Sequence, residues 1–399
     1  MGSMSAQRTL TILMFDAFGR GGVARAPLSL ANRLAERHKV EVISLYRRRE
    51  QPRFPIDPRV KLTVLRDARL HEGLLWTALH RRPTRLQPEP SETEMSLLTD
   101  ILLRRKLSRL KPGVLISTRP SLHLAATRFA PAHVRIVGQD HAPYDVRFSN
   151  PRQVGVLRAT LPRLDAYTVL TEGDARAYRA SFPESADAIV RLPNMLSWNV
   201  ADEPAPVENP VVVAAGRLSR EKGFRRLVRS FAAIADRHPQ WRLVIHGEGG
   251  TLGELEELVD RLGLHDRVLL PGHTEDLRAE LAASSVFALS SHYEGFGMAL
   301  VEAMSLGVPA VSFDCPRGPG EIIDDGNNGL LVEDGDLVAF SAALSRLMGD
   351  ADLRRRLGRT ALADAAAYDP EGVVAQWEAL FDALDHGPLR QPRVLAHTS

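Results

Sequence analysis

The stretch Ser290-Ser-His-Tyr-Glu294-Gly-Phe296-Gly297-Met298-Ala299-Leu-Val-Glu302-Ala-Met-Ser-Leu-Gly-Val-Pro309 decides how this chain is read. Two carboxylates stand eight positions apart in an otherwise apolar segment. Gly-Phe-Gly reads as a tight loop, and Met298 to Leu306 as a helix apolar nearly all round, hence one enclosed by protein. An ionised Glu302 inside such a helix is costly unless a polar group meets it. Glu294 is expected just ahead of the helix, where free backbone N–H groups attract oxygen-rich ligands. Spacing and setting suggest one polyol gripped at two places. The plainer alternative is a solvated loop Glu and a helix Glu paired with a core Arg.

Outward from this segment, four further motifs recur in a telling order. They are Phe18-Gly-Arg-Gly21-Gly22-Val-Ala-Arg25, Gly138-Gln-Asp-His141, Gly216-Arg217-Leu-Ser-Arg-Glu-Lys222-Gly223 and Asp314-Cys-Pro-Arg317-Gly-Pro-Gly-Glu321. Together they resemble the retaining glycosyltransferases of family 4, bacterial type. That resemblance implies the α/β GT-B fold, two doubly wound Rossmann-like domains facing a central cleft. It implies that Glu302 accepts hydrogen bonds from a ribose. Glu294 is expected at the transferred sugar, with backbone N–H groups of Phe296 to Ala299 on the sugar hydroxyls. It also places Gly272 and His273 beside the nucleotide base, and His141 near the sugar or the transfer centre. Gly297 stands where many members have proline, an extra freedom and an extra N–H that weaken the transfer of donor preference from relatives.

At 399 residues, two domains are expected. A net charge of +2 gives no drive toward nucleic acid. Only five of the 51 basic residues are lysines (39, 61, 106, 111 and 222), so Lys222 in a glycine-flanked motif is conspicuous. The single Cys315 excludes an intrachain disulfide and a cysteine zinc cluster. No 18-residue apolar run is present, so a cytoplasmic protein is expected, with peripheral contact at the inner membrane face as an option. The basic helix Leu97–Leu110 would make that contact; a solvated charged face is the alternative.

Short apolar runs alternating with helical patterns argue parallel sheets. Strands are expected at Thr9–Phe15, Val40–Tyr46, Val114–Ser117, Arg135–Gln139 and Ala166–Leu170, and then at Val211–Ala215, Trp241–Gly247, Val268–Leu270, Val286–Leu289 and Pro309–Phe313. Tyr46 to Pro90 reads as an irregular insertion with a helix near Leu74–His80. The domains are set at 1–194 (acceptor side, with the glycine loop) and 210–368 (donor side). A proline-rich linker 195–209 joins them, a helix 369–385 crosses back to the first domain, and 386–399 is a frayed tail.

Glycosyl transfer from a nucleotide sugar requires stabilising a departing diphosphate. Arg217 and Lys222 offer two cations after a strand, and Gly223 opens a helix whose N-terminus adds positive potential. Gly21 and Gly22 let backbone approach the phosphates. Cations and amides together can serve without a metal, so no metal and no cofactor is expected. The alternative is that Arg217 and Lys222 pair with Glu221 or Asp236 on the surface. Arg317 is a candidate for the phosphates or the acceptor, against the alternative of a salt-bridged loop residue. Glu294, His141, Arg217 and Lys222 form the expected catalytic set. The expected activity is transfer of a hexose from a UDP-sugar (glucose, N-acetylglucosamine or galactose) to an acceptor that is a small molecule, a glycan or lipid-linked. GDP-mannose-dependent mannosyl transfer and a degenerate nucleotide-sugar-binding protein are the alternatives. A Rossmann dehydrogenase does not fit, because Gly19-Arg-Gly21-Gly22 departs from G-x-G-x-x-G.

Overall fold

The computed structural model describes residues 7–19, 21–70, 73–86 and 95–387; the expected tail falls outside them from residue 388. The chain forms two compact units. One comprises the residues up to Met195 together with those from Val373 onward, and the other is Leu196–Gly372.

The first unit is built on seven parallel strands: β1 (Thr9–Asp16), β2 (Lys39–Arg47), β3 (Lys61–Asp67), β4 (Gly113–Ser117), β5 (Val134–Gln139), β6 (Ala166–Val169) and β7 (Ile189–Arg191). Their spatial order is β3-β2-β1-β4-β5-β6-β7. Leu10 to Phe15 are all buried, as continuous apolar runs in a sheet covered on both faces must be. On one face Leu10, Ile12 and Met14 pack with the helix Gly22–Leu34 and with Val373, Trp377, Phe381 and Leu384 of the last helix, Pro370–Asp385. On the other, Leu13, Phe15 and Tyr46 pack with Leu103 and Leu107 of the helix Leu97–Leu107.

The second unit repeats the plan with β8 (Val211–Ala215), β9 (Arg242–His246), β10 (Val268–Gly272), β11 (Val286–Leu289), β12 (Ala310–Asp314) and β13 (Gly329–Glu333), in the order β10-β9-β8-β11-β12-β13. Both sheets therefore reverse winding once, between β1 and β4 and between β8 and β11. Loops leaving the carboxyl ends of strands at such a reversal diverge and leave a crevice, which is where open α/β sheets bind ligands.

Several expectations need correction. The insertion 46–90 contains β3, an edge strand whose polar Lys61, Thr63, Arg66 and Asp67 obscure it, and none of its residues is fully buried. β7, of three residues, and β13, of five, were also not foreseen. The helix that Gly223 opens runs Phe224–Ala232 and is followed by a tighter turn at Ala235–Arg237. The segment 195–209 is not a free linker. From Leu196 it is fixed to the second unit by Leu196 N–H to Tyr368 O (3.0 Å), Ala201 N–H to Ser305 O (2.9 Å) and Ala205 N–H to Leu306 O (2.8 Å). Within the basic helix, which ends at Leu107, Lys106 is drawn onto Glu41 (2.7 Å), while Arg104 and Arg105 stay exposed. Among the described residues no helix is long and apolar enough to cross a membrane.

Candidate active site

The second unit's reversal point is formed by the turn after β8 and the loop after β11. The turn carries Arg217 to Gly223, and the loop carries Ser290 to Gly297. The two segments are interlocked by backbone. His292 N–H donates to Glu221 O (2.8 Å), and Ser290 Oγ donates to Lys222 O (2.9 Å). Gly223 sits at φ +62° with its Cα against Ser290, so that a Cβ there would lie 2.0 Å from the Ser290 carbonyl oxygen. Only glycine satisfies both demands.

This interlock brings Lys222 and Glu294 together. Lys222 Nζ lies 2.7 and 2.8 Å from the two oxygens of Glu294, and Ser291 Oγ donates to the same carboxylate (2.5 Å). Glu294 is therefore not a solvated loop residue: its side chain is 8 % exposed. Lys222 pairs with neither Glu221 nor Asp236. Arg217 stands exposed on the same turn. Two features missing from the sequence reading complete the arrangement. Arg226 donates to the carbonyls of Ser290 and Ser291, pairs with Asp334 (2.7 Å) and covers the Phe313 ring at 4.0 Å, tying the loop after β11 to the one after β13. Cys315 is buried nearby, and burial, with Glu294 close by, pushes its thiol up to about 12, so it is a neutral filler.

Gly297 caps the helix Met298–Met304 at φ +99°, a backbone angle proline cannot adopt, so the departure from the family pattern has a local conformational cause. Met298 and Ala299 begin that helix half-buried, and Glu302 lies inside it at 1 % exposure. Phe296 is fixed edge-on to Tyr368 (5.4 Å). Its carbonyl lies against Gly318, which follows Arg317 in a pair of consecutive positive-φ residues (φ +65° and +121°). A left-handed arginine is strained, and such strain gathers at functional loops. Gly272 accepts from Gly247 N–H (2.8 Å) at the end of β10, with His273 exposed beside it. The carboxylates of Asp324 and Asp325 hold their own turn, accepting from Asn327 Nδ2 (3.0 Å) and Leu331 N–H (2.9 Å).

In the first unit, the loop after β1 carries Gly21, at φ +85°, and Gly22, which opens the helix Gly22–Leu34. His141 follows β5. Both of its ring nitrogens are shielded and make no hydrogen bond, and burial, reinforced by Arg147 and Arg119, pushes its pKa to about 4 against the opposing pull of Asp140. The ring is neutral at pH 7. Its backbone is set by a network that the sequence did not disclose. Arg147 grips buried Asp140 through Nε (3.0 and 2.9 Å) and a terminal nitrogen (2.6 Å), while Tyr167 and Tyr178 donate to Asp140 Oδ2 (2.7 and 3.2 Å). Burial opposes ionisation of Asp140, but the Arg147 charge and these bonds outweigh it and hold the carboxyl well below its ordinary range.

Two doubly wound sheets on one chain, with a cation–carboxylate pair at the reversal point of the second, define a GT-B protein. Residues 20–197 match the family described as Glycosyltransferase Family 4, and residues 199–364 match Glycosyl transferases group 1. The chain belongs to the GT-B glycosyltransferases. It is 34 % identical over 386 residues to an exopolysaccharide phosphotransferase of Streptomyces coelicolor, covering 94 % of this chain but only 41 % of that longer protein. It is 25 % identical to the amylovoran biosynthesis glycosyltransferase AmsD of Erwinia amylovora, covering 94 % of this chain and 99 % of that one. Among solved structures, Staphylococcus aureus TarM, in complex with Fondaparinux, alpha-GlcNAc-glycerol and UDP, shares the fold at TM-score 0.75 and 14 % identity over 94 % of this chain and all of that one.

Proposed function

We propose that this chain transfers a hexosyl group from a UDP-sugar to an acceptor with retention of anomeric configuration and without a metal ion. The single observation that carries the reading is the Lys222–Glu294 pair at the reversal point of the second sheet, on the turn that also carries exposed Arg217. When the C1–O bond to the diphosphate breaks, negative charge grows on the leaving oxygen, and two nearby cations lower its energy. Glu294 orients Lys222 and lies where the sugar is expected. In a front-face route the acceptor hydroxyl bonds to C1 and its proton passes to the departing phosphate oxygen, so a second carboxylate at hydrolase spacing is not required. Neutral His141 serves as a hydrogen-bonding group rather than a cation. Glu302 meets the ribose, Gly272 and His273 the base, and Gly21 and Gly22 the phosphates. UDP is favoured because the TarM structure holds UDP, with GDP-mannose as the second donor to test. The reaction is placed in the cytoplasm.

Turnover of UDP-glucose, UDP-N-acetylglucosamine, UDP-galactose and GDP-mannose, with hydrolysis as the readout in the absence of an acceptor, tests the reading. Arg217→Ala should lower the rate on the preferred donor about 10²–10³-fold, the loss typical for one preorganised charge-stabilising group. Activity should persist in EDTA. Near-native turnover in Arg217→Ala, or loss in EDTA restored by manganese, would sink the diphosphate assignment or the metal-free route respectively.

A further inference from the structure

The helices Phe224–Ala232, Leu252–Arg261 and Leu337–Gly349 cover one face of the second sheet. Leu227, Leu255 and Leu344, one from each, share a core with Val212, Leu243 and Val311 of the strands. The outer side of this face is divided by charge. Between Phe224–Ala232, with the turn that follows it, and Leu337–Gly349 runs an open groove of about 750 Å³. Leu337, Val338, Ala233 and Ala342 line it, and Val338 is 81 % exposed. Arg229, Arg237 and Arg346 stand around it, all exposed, and no carboxylate lines it. Neighbouring Arg225 and Arg226 are answered by Glu254 (3.0 Å) and Asp334 (2.7 Å). The three groove arginines, by contrast, make no side-chain hydrogen bond or ion pair among the described residues.

The helix Leu252–Arg261 carries the opposite sign. Glu256, Glu257 and Asp260 are exposed along it, and the i, i+4 spacing puts Glu256 and Asp260 on one stripe. Glu257 meets Arg261 at 3.5 Å on the surface, while Glu256 and Asp260 make no side-chain hydrogen bond or ion pair among the described residues. Leu262, the next residue, is an exposed apolar side chain. An apolar groove rimmed by unanswered cations suits a helix that brings carboxylates and an apolar contact. This chain presents such a helix, but its own groove cannot take it, because Leu255, Leu258 and Val259 anchor it in the core. A second copy is free to supply it. Both patches lie on one face, so a two-fold axis normal to that face sets the acidic helix of each copy against the groove of the other. One closed contact then answers both sets of charges twice.

We propose that this face pairs two copies of the chain, with the acidic helix Leu252–Arg261 of one docked in the Arg229, Arg237 and Arg346 groove of the other. None of these residues belongs to the candidate active site, so pairing and catalysis are tested apart. Sedimentation velocity on the full chain, over a concentration series at low and high salt, reads the association. The expected result is a dimer that weakens as salt rises. The double variant Arg237→Glu with Arg346→Glu, and separately Glu256→Lys with Asp260→Lys, should each weaken it about ten-fold or more, since like charges then face each other. Mixing the two double variants should restore a dimer, because each reversed groove meets a reversed helix, and restoration also shows that both variants are folded. A wild type that stays monomeric at every concentration and salt overturns the proposal. So does a dimer that either double variant leaves intact, which would place the contact elsewhere. Loss in both variants with no restoration on mixing overturns the pairing of these two patches.

Discussion

Removing Lys222 should open the loop that carries Glu294, and the size of the effect follows from burial. The Glu294 side chain is 8 % exposed and that of Lys222 is 24 %. Breaking a fully buried ion pair by deleting one partner costs about 3–5 kcal/mol, whereas an exposed pair contributes about 0–1 kcal/mol. The Lys222–Glu294 pair lies between these limits, and Ser291 continues to donate to the stranded carboxylate. Lys222→Met is therefore expected to lower the local opening free energy of the segment after β11 by about 1–3 kcal/mol. Glu294→Gln should cost less, because an amide tolerates burial without a cation. In the double variant the losses should not add, leaving a coupling of about 1–2 kcal/mol. Native-state hydrogen exchange on peptides spanning 286–304 reads the opening directly. A coupling below about 0.5 kcal/mol would mean that the two side chains meet without holding each other, and that Glu294 owes its placement to Ser291 and Arg226.

Three other outcomes follow from the same geometry. Glu302→Gln should weaken UDP binding in calorimetry while Glu294→Gln chiefly lowers turnover; unchanged nucleotide affinity in Glu302→Gln would remove the ribose role. Gly223→Ala should cost at least about 1–2 kcal/mol for the left-handed backbone alone, with further loss as the Cβ forces Ser290 away, so a variant with native melting temperature and activity would contradict the interlock. His123 is fully buried, with Nδ1 2.7 Å from Ser117 Oγ, and burial lowers its pKa to about 3, well under the unfolded value of 6.5. The folded state thus excludes a proton that the unfolded chain accepts. Stability is flat above pH 6.5 from this source and falls as the pH drops below it, by about 2 kcal/mol at pH 5. His141 acts in the same direction. Urea unfolding at pH 7 and pH 5, compared with His123→Gln, should show the slope reduced in the variant.

The sequence disclosed what is local. Ser290–Pro309 reads correctly because a Gly-Phe-Gly loop and an apolar helix are written in consecutive residues, and the strands flanking both reversal points are uninterrupted apolar runs. What it concealed is either non-local or disguised. β3 alternates only over Lys61 to Val64 and then runs into Leu65, Arg66 and Asp67 on a half-buried edge, too short a pattern to stand out. Asp140, Arg147, Tyr167 and Tyr178 come from separate elements, and nothing in the spacing of a Tyr on β6 announces an acidic partner 27 residues earlier. Arg226 looks like one more surface arginine on a helix until the loop 64 residues away folds onto it. The Lys222–Glu294 contact, 72 residues apart, was legible only as two motifs with a common purpose.

The closing helix has a consequence for how this protein comes into being. Glu378 reaches His38 (2.6 Å) and Arg8 (3.3 Å), and Trp377 and Phe381 fill the core beneath β1. The first unit is thus discontinuous in the chain, and its last structural part is translated after the whole of the second. During synthesis the second unit has all of its own residues in hand first. The amino-terminal part waits with an apolar face bare until the helix carrying Val373, Trp377 and Phe381 leaves the ribosome. That interval is a window for chaperone capture or aggregation. A truncation just before Val373 would keep Arg217, Lys222, Glu294 and Glu302, yet leave the first unit without its lid of Trp377 and Phe381.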